Sequence, residues 1–255
     1  MKTNIIINKD VRSQQDKAGI RVVCLTKYLK IMEKKFILTD RFIVSDSGKK
    51  LFQIQCVKTF KYANAGDLGG YIEKEGNLSQ NGNAWIYDNA QVSGSAHVYG
   101  SAQVSDDARV FGDTQVSDNA QVFGNACVFG NAMICGNAQV FDYAQVFGNA
   151  MICGSAQVSD YAQVFGNANI HGNGSISGDA YVDSNDKHCG FDYFGSVNRH
   201  THAYLTTDGE IEITCGCFRG NLEEFEKQVE ETHRGTIYEK QYKAIIEVIK
   251  VKFGL

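Results

Sequence analysis

The chain has 255 residues, enough for one or two ordinary domains, and a formal net charge of −4 at pH 7. The charge is uneven, because the stretch from Asn81 to Val182 contains eight Asp and one Arg but neither Lys nor Glu, a net charge of −7. Such a surface repels a phosphate backbone, which argues against nucleic-acid binding along this stretch. The sequence contains no run of 18 apolar residues, so no membrane span is predicted.

The first part of the chain, residues 1–65, is predicted to be an N-terminal extension followed by a β-rich cap. Met32 opens the run MEKKFILTD, which reads like a natural start, so Met1–Ile31 is interpreted as an extension. Phe36–Lys61 has the pattern of two or three strands with a turn at Asp46–Lys49. We expect these strands to cover one open end of the fold that follows.

Two features of the whole sequence favour a cytoplasmic protein. The N-terminus has no apolar core followed by a small-residue cleavage site, so export is not indicated. The eight Cys in 255 residues lack the density of a small secreted scaffold, so we expect reduced thiols.

Residues 66–185 contain a repeat with a period of six. Ala recurs at every sixth position from Ala84 to Ala180, except at Thr114 and Gly174, and Val or Ile always follows two residues later. Within each unit, Ala and Val face one side of a short strand, and the next pair, such as Gly-Asn or Asp-Tyr, is typical of a turn. Stacked units bury the Val side chains together, which predicts a β-solenoid. The run GDLGGYIEKEGNLSQ before Ala84 is interpreted as a first, irregular coil.

This pattern, an aliphatic residue followed four positions later by a small one, resembles the hexapeptide-repeat family. The resemblance implies a mainly β protein built on a left-handed triangular β-helix, with three six-residue sides and eighteen residues in each coil. It also implies a homo-oligomer, commonly a trimer. The β-helix is expected to lie between the N-terminal cap and a C-terminal ββαα unit.

A coil of eighteen residues places residue i beneath residue i+18, about 4.8 Å away. This stacking predicts an outward column of four rings: Phe111, Phe129, Phe147 and Phe165. Because monomers rarely expose long apolar stripes, we interpret the column as an oligomer interface. The alternative is that the column is a ladder of side chains that stabilises parallel strands. Cys135 and Cys153 stack as well, and together with His171 they would supply three ligands to a metal ion. No fourth ligand is evident, so no metal or other cofactor is predicted.

Residues 186–255 are predicted to form a β-hairpin and two helices. The hairpin joins Ala203–Thr207 to Glu210–Cys215, Asn221 caps the first helix, and the second helix runs from about Tyr238 to Phe253. The segment CGCFRGNLEEFEKQVEETH and the irregular first coil resemble segments of uncharacterised bacteriophage and prophage solenoid proteins. That resemblance implies an accessory phage protein in the cytoplasm of an infected or lysogenic bacterial host.

The loop Cys215–Asn221 is the predicted ligand-binding segment. Its two Gly allow close approach of the backbone, Arg219 offers a fork for carboxylate or phosphate, and a helix begins there. Simple helix capping is the alternative. The full set of candidate ligand-binding residues combines aromatic rings for stacking a base with cationic or imidazole groups: Tyr71, Trp85, Arg199, His202, Phe218 and Arg219.

The function favoured by these patterns is that of a non-catalytic oligomeric accessory protein. It would bind or sequester a small anionic ligand, such as a nucleotide signal of bacterial immunity. One alternative is a hexapeptide-repeat acyltransferase. Against it, the uninterrupted repeats contain no loop that could cover a substrate, and the only candidate bases of the solenoid are His97 and His171. The other alternative is a structural or host-protein-binding phage protein.

Overall fold

The computed structural model describes residues 34–255, so the predicted extension Met1–Ile31 lies outside the described residues. The protein is mainly β, with a solenoid of about 6 turns preceded by a few strands and followed by two helices. The expected fold class and its order along the chain are therefore confirmed.

The N-terminal cap is a hairpin joined edge to edge to the solenoid. Strands β1 (Phe36–Val44) and β2 (Lys50–Cys56) are antiparallel, and β2 pairs with β3 (Leu68–Ile72). The predicted turn between β1 and β2 is present, with Gly48 at a φ of 78°. The cap therefore extends one face of the solenoid instead of leaving that strand edge open.

The first coil is irregular, as the sequence predicts. In β3, Ile72 pairs with Val92, and Leu78 forms an isolated parallel bridge with Val98, so residues twenty apart are neighbours instead of eighteen. The buried amide of Asn77 donates hydrogen bonds to the carbonyl oxygens of Gly94 (3.1 Å) and Ala96 (2.8 Å). Asn77 thereby satisfies backbone groups at the end of the regular ladder.

Seventeen two-residue strands form the regular solenoid. They are β4 (Trp85–Ile86), β5 (Gln91–Val92), β6 (His97–Val98), β7 (Gln103–Val104), β8 (Arg109–Val110), β9 (Gln115–Val116), β10 (Gln121–Val122), β11 (Cys127–Val128), β12 (Met133–Ile134), β13 (Gln139–Val140), β14 (Gln145–Val146), β15 (Met151–Ile152), β16 (Gln157–Val158), β17 (Gln163–Val164), β18 (Asn169–Ile170), β19 (Ser175–Ile176) and β20 (Tyr181–Val182). Each strand from β4 to β17 pairs in parallel with the strand eighteen residues further on, for example Val122 with Val140.

These strands form three parallel sheets, one for each face of the coil. The first contains β3, β5, β8, β11, β14, β17 and β20; the second contains every third strand from β4 to β19, and the third every third strand from β6 to β18. The Val and Ile of every repeat have no exposed surface. Each such side chain contributes roughly 1.5–3 kcal/mol by leaving water, so the stacked interior is the main source of stability.

The corners between faces use Gly or Asp in the left-handed region of φ. At three corners the Asp carboxylate accepts a hydrogen bond from the backbone N–H of the Gly one coil later, which links successive coils. These pairs are Asp106 with Gly124 (2.9 Å), Asp118 with Gly136 (3.0 Å) and Asp160 with Gly178 (2.9 Å). These three Asp residues are therefore structural acceptors, and they contribute part of the negative charge of the repeat.

The expectation that all thiols are reduced is wrong for one pair. Cys135 and Cys153 form a disulfide between successive coils on the outer side of the third sheet, with Cα atoms 4.7 Å apart. The i to i+18 stacking brings the two side chains together, as predicted, but their covalent state could not be inferred from the low density of Cys. Five further Cys in the described residues are free thiols: Cys56, Cys127, Cys189, Cys215 and Cys217.

The C-terminal unit is an antiparallel sheet covered by two helices. Its strands are β21 (His188–Phe194), β22 (Arg199–Leu205), β23 (Ile211–Cys215) and β24 (Phe218–Asn221), and its helices are α1 (Leu222–His233) and α2 (Ile237–Phe253). The predicted hairpin corresponds to β22 and β23. Strands β21 and β24 extend it on either side, so the segment interpreted as a binding loop is partly a strand. The predicted cap of α1 is present, because Asn221 Oδ1 accepts from the Glu224 N–H at 2.9 Å.

Strand β22 closes the open end of the solenoid. Tyr204 is fully buried within the solenoid core, and its hydroxyl donates a 2.6 Å hydrogen bond to Glu212. Thr206 bridges to Ala180 of the last coil, and the hydroxyl of Thr214 donates to the Ser175 carbonyl oxygen at 3.2 Å. The C-terminal unit thus serves as the second cap, which repeat proteins need to protect their last strands.

Candidate ligand-binding site

A cavity of about 320 Å³ lies in the C-terminal unit, between the sheet and the helices. Arg199, Phe218 and Arg219 line it together with residues of α1 and α2. Three of the six predicted ligand-binding residues are therefore neighbours, although they come from two strands that are separated by β23. The antiparallel pairing of β22, β23 and β24 produces this proximity.

Arg199 is the free cation of this cavity. It begins β22, and its side chain crosses the turn at Gly216, where a Cβ atom would lie 2.5 Å from the Arg199 Nη1. Gly216 also has a φ of 63°, so both space and backbone conformation favour Gly there. Within residues 34–255, the Arg199 guanidinium makes no ion pair, whereas Arg109 and Arg219 do. Arg199 can therefore offer its full charge and two-pronged donor geometry to an anion.

Arg219 has a different environment. Its Nε lies 2.8 Å from Glu212 Oε1, and its Nη1 lies 2.9 Å from Asp160 Oδ2. The two carboxylates neutralise the guanidinium and tie β24 to a corner of the solenoid. The interpretation of Arg219 as the anion ligand is therefore not supported by its contacts, which are those of a structural cross-link.

Aromatic side chains form the floor of the cavity. Phe218 packs on Phe225 with ring centroids 5.1 Å apart, and Phe225 meets Tyr242 edge to face at 5.8 Å. His233 of α1 stacks on Tyr242 at 5.3 Å. Burial and a hydrogen bond with the Cys215 thiol raise the pKa of Tyr242 to about 12, so its hydroxyl is a neutral donor at physiological pH. An apolar floor with a free cation at its edge suits a ligand that joins a flat or apolar part to an anionic group.

The other predicted ligand-binding residues lie elsewhere. Trp85 is only 1% exposed, because the N-terminal cap covers it with the rings of Phe36 and Phe60. It therefore has no face on which a base could stack. Tyr71 lies in β3, six strands of the first sheet away from β20, a separation of roughly 29 Å at about 4.8 Å per strand.

His202 is also buried, with 2% of its surface exposed, and it lies behind the cavity that contains Arg199. It lines a second cavity with three other histidines at the junction with the solenoid. The predicted set of six residues therefore belongs to three separate places in the fold.

The four Phe of the predicted oligomer interface form a continuous stack on the outside of the solenoid. Successive ring centroids are 5.1, 4.8 and 4.7 Å apart, and the planes are within 8° of parallel. Phe111, at the N-terminal end of the stack, is 37% exposed. The column is therefore a ladder of stacked rings within one chain, and its role as an oligomer interface stays a prediction.

Sequence reasoning missed some residues of the cavity lining. Phe225, His233 and Tyr242 line the cavity but are absent from the predicted set, and the helical spacing of Phe225 and Tyr242 indicated only core positions. Across residues 34–255, no three His, Cys, Asp or Glu side chains are grouped in a way that would hold a metal ion. None of the helices between Lys34 and Leu255 is both long and apolar enough to cross a membrane.

Comparison with known proteins informs the fold. Three stretches of the solenoid, residues 84–100, 102–118 and 144–160, match the family model described as the YdcK Beta solenoid repeat. No curated protein matches the chain. The matched stretches and the three wound sheets together identify a repeat β-helix protein.

Proposed function

We propose that the protein is a non-catalytic binding protein that captures a small anionic ligand with a flat apolar part, such as a nucleotide, in the C-terminal cavity. The observation that carries the proposal is the unpaired guanidinium of Arg199 at the edge of an aromatic floor. The volume of about 320 Å³ is at the small end of the range for ligand sites.

The chemistry of the cavity supports this class of ligand. Arg199 can form two parallel hydrogen bonds to a phosphate or carboxylate, which fixes its orientation as well as its charge. The half-buried ring of Phe218 offers apolar area to a base or similar ring, and the buried ring of Phe225 supports Phe218 from behind. Because Arg219 is already neutralised, the site carries one free positive charge rather than two.

The biological setting is the wider part of the proposal. Resemblance of the first coil and the C-terminal segment to phage and prophage solenoid proteins supports an accessory phage protein in the cytoplasm of a bacterial host. Capture of a nucleotide signal of bacterial immunity would then be an anti-defence role. The resemblance of the repeat to the hexapeptide-repeat family supports a homotrimer, in which the stack from Phe111 to Phe165 packs against a neighbouring copy.

A ligand-release experiment tests the binding proposal. The purified protein is incubated with a panel of nucleotides and acyl-coenzyme A, washed, and denatured by heat, and the released compounds are measured by mass spectrometry. We expect an intact nucleotide. An altered compound would instead indicate catalysis, and an empty protein would indicate a macromolecular partner; either result overturns the proposal.

The Arg199→Ala variant identifies the site. Losing a charge-assisted hydrogen bond costs about 1.5–3 kcal/mol, so affinity for the captured nucleotide should fall about 10- to 100-fold. Arg41→Ala, at an exposed position of β1, is the matched control and should bind like the parent. Equal affinity of the two variants would place the ligand somewhere other than this cavity.

A further inference from the structure

Four of the six histidines gather where the last solenoid turn meets the C-terminal sheet. His171 follows β18, His188 lies in β21, and His200 and His202 lie in β22. Together they line a cavity of about 300 Å³ that is separate from the cavity of Arg199. The proposed nucleotide site does not use this cluster.

Three of these imidazoles form a chain of hydrogen bonds that ends on one carboxylate. Asp192 Oδ1 lies 2.8 Å from His200 Nδ1, and His200 Nε2 lies 3.4 Å from His202 Nδ1. The chain continues from His202 Nε2 to His188 Nδ1 at 3.0 Å. Every ring nitrogen in the chain except the outer one of His188 therefore faces either another imidazole or the carboxylate.

The carboxylate sets the direction of the whole chain. An ionised Asp192 can only accept, so His200 carries its proton on Nδ1 and, being neutral, accepts at Nε2. His202 must then carry its proton on Nδ1, because it has to donate to His200 Nε2. His188 must likewise carry its proton on Nδ1, because it has to donate to His202 Nε2. The Asn173 amide also donates to Asp192 Oδ1, at 3.0 Å, which favours the ionised form of that carboxyl. The outer nitrogen of His188, Nε2, is consequently left without a proton.

One added proton can be accommodated without losing any of these hydrogen bonds. A proton that binds at His188 Nε2 allows the Nδ1 proton of His188 to move to His202 Nε2, and the Nδ1 proton of His202 to move to His200 Nε2. The chain then points the other way, and the positive charge resides on His200 beside the negative charge of Asp192. Asn185 Oδ1, 3.5 Å from His188 Nε2, lies on the side where the new N–H would donate.

We propose that Asp192, His200, His202 and His188 form a proton relay that takes up a single proton at His188 and holds it at His200. Uptake changes Nε2 of His188 from a hydrogen-bond acceptor into a donor. The hydrogen-bonding character of the cavity mouth therefore changes with pH while the C-terminal unit stays docked on the solenoid.

The surroundings of the chain support storage of the charge at His200. Burial, with added repulsion from Lys252 of α2 and from His171 of the solenoid, lowers the pKa of His188 to about 4. His202 is almost completely buried, which lowers its pKa well below the usual value. The thiol of Cys189, which also lines the cavity, has a pKa raised to about 11 by burial and so stays neutral. His200 is the member of the chain that directly contacts a carboxylate.

Nitrogen NMR of the histidine-labelled full-length protein tests the relay directly. At pH 7.5 we expect His188, His200 and His202 all to carry the proton on Nδ1, the tautomer that is less common in free histidine. On acidification, His188 and His202 should switch to the Nε2–H form at one common pH, at which His200 becomes doubly protonated. Nε2–H tautomers at pH 7.5, or separate transitions for the three residues, would overturn the proposal.

Asp192→Asn provides the matched perturbation, with Asp113→Asn at an exposed corner as the control. Without a carboxylate to fix the direction, His188 should show a mixture of both tautomers at pH 7.5, whereas the control keeps Nδ1–H alone. An unchanged His188 tautomer in Asp192→Asn would contradict the relay. The measurement on the parent protein decides the matter by itself if Asp192→Asn fails to fold.

Discussion

Gly174 lies directly against the imidazole of His202. A Cβ atom at position 174 would be 2.9 Å from His202 Cε1 and 2.9 Å from Ile170 Cγ2, closer than real contacts of this kind. This is the position at which the repeat has Gly where other coils have Ala. The last coil therefore omits one methyl group so that the C-terminal unit can insert His202 into its end.

Gly174→Ala should accordingly weaken the docking of the C-terminal unit. We expect a loss of about 1–3 kcal/mol in the free energy of unfolding, the usual cost of overpacking a tight site. Urea denaturation measures the loss, and hydrogen exchange should show it first in β22. Thr114→Ala is the control, because it restores the repeat at the other exception and removes only the 2.8 Å hydrogen bond to the Phe111 carbonyl oxygen. Equal stability of Gly174→Ala and the parent would contradict this explanation.

The Cys135–Cys153 disulfide should stabilise the solenoid mainly by restricting the unfolded chain. It closes a loop of 18 residues, for which the loop-entropy relation gives about 3 kcal/mol. We expect Cys135→Ser with Cys153→Ser to unfold at a lower temperature than the parent under non-reducing conditions, and at the same temperature under reducing conditions. Cys127→Ser, which removes a free thiol, is the control. A thiol assay that detects all eight Cys as free in the unfolded, unreduced protein would contradict the disulfide.

The regular part of the fold could be predicted because each repeat itself contains the residues that determine its structure. Ala and Val at fixed spacing determine the strands, and the period of eighteen determines which side chains stack. Trp85 shows where that reasoning ends, since its place in the repeat is outward, like that of Gln103, yet Phe36 and Phe60 of the cap cover it.

The candidate site was harder to predict because its contacts join distant segments. Arg219 and Asp160 form an ion pair across 59 residues of sequence. No pattern within either segment indicates that pairing, and Arg219 was therefore interpreted as a ligand instead of a cross-link. Strand β21, with the sequence HCGFDYF, lacks clear alternation of apolar residues, so its pairing with β22 depends on the sheet already present.

Arg219→Ala should separate the structural role of Arg219 from the binding role of Arg199. The two ion pairs of Arg219 are partly exposed, and such pairs contribute at most about 1 kcal/mol each. We therefore expect a loss of about 1 kcal/mol in the free energy of unfolding and nucleotide affinity within about twofold of the parent. Denaturation and calorimetric titration, performed beside Arg199→Ala, measure the two quantities. A large loss of affinity without a loss of stability would show that Arg219 binds the ligand after all.

The stability of the protein should decrease on mild acidification. His188 and His202 have pKa values in the folded protein below the value of about 6.5 in an unfolded chain. Their contribution is therefore fully present above about pH 6.5 and is lost as the pH falls toward about 4, the folded value for His188. The unfolded state therefore binds up to two more protons than the folded state. The free energy of unfolding should then change with a slope of at most about 3 kcal/mol per pH unit.

Urea denaturation at pH 7.5, 6 and 5 measures that slope. His188→Asn should reduce it by about one proton, because it removes one titrating group while an amide can still donate toward His202. His97→Asn, on the outer face of the solenoid, is the control and should leave the slope close to that of the parent. Stability that does not change between pH 7.5 and 5 would contradict the assignment of buried neutral imidazoles at this junction.

Self-association through the Phe stack is the last prediction. Phe129→Lys places a charge in the middle of the stack, between rings whose centroids are 5.1 and 4.8 Å from that of Phe129, without touching the solenoid core. If the stack packs against a neighbouring copy, the buried charge is unpaired there, and the mass measured by light scattering at micromolar concentration should fall from trimer to monomer. Tyr161→Lys is the control and should remain trimeric, because Tyr161 is 62% exposed and belongs to the separate Tyr143–Tyr161 stack. A monomeric parent protein, or a trimeric Phe129→Lys variant, would leave the Phe column as a ladder within a single chain.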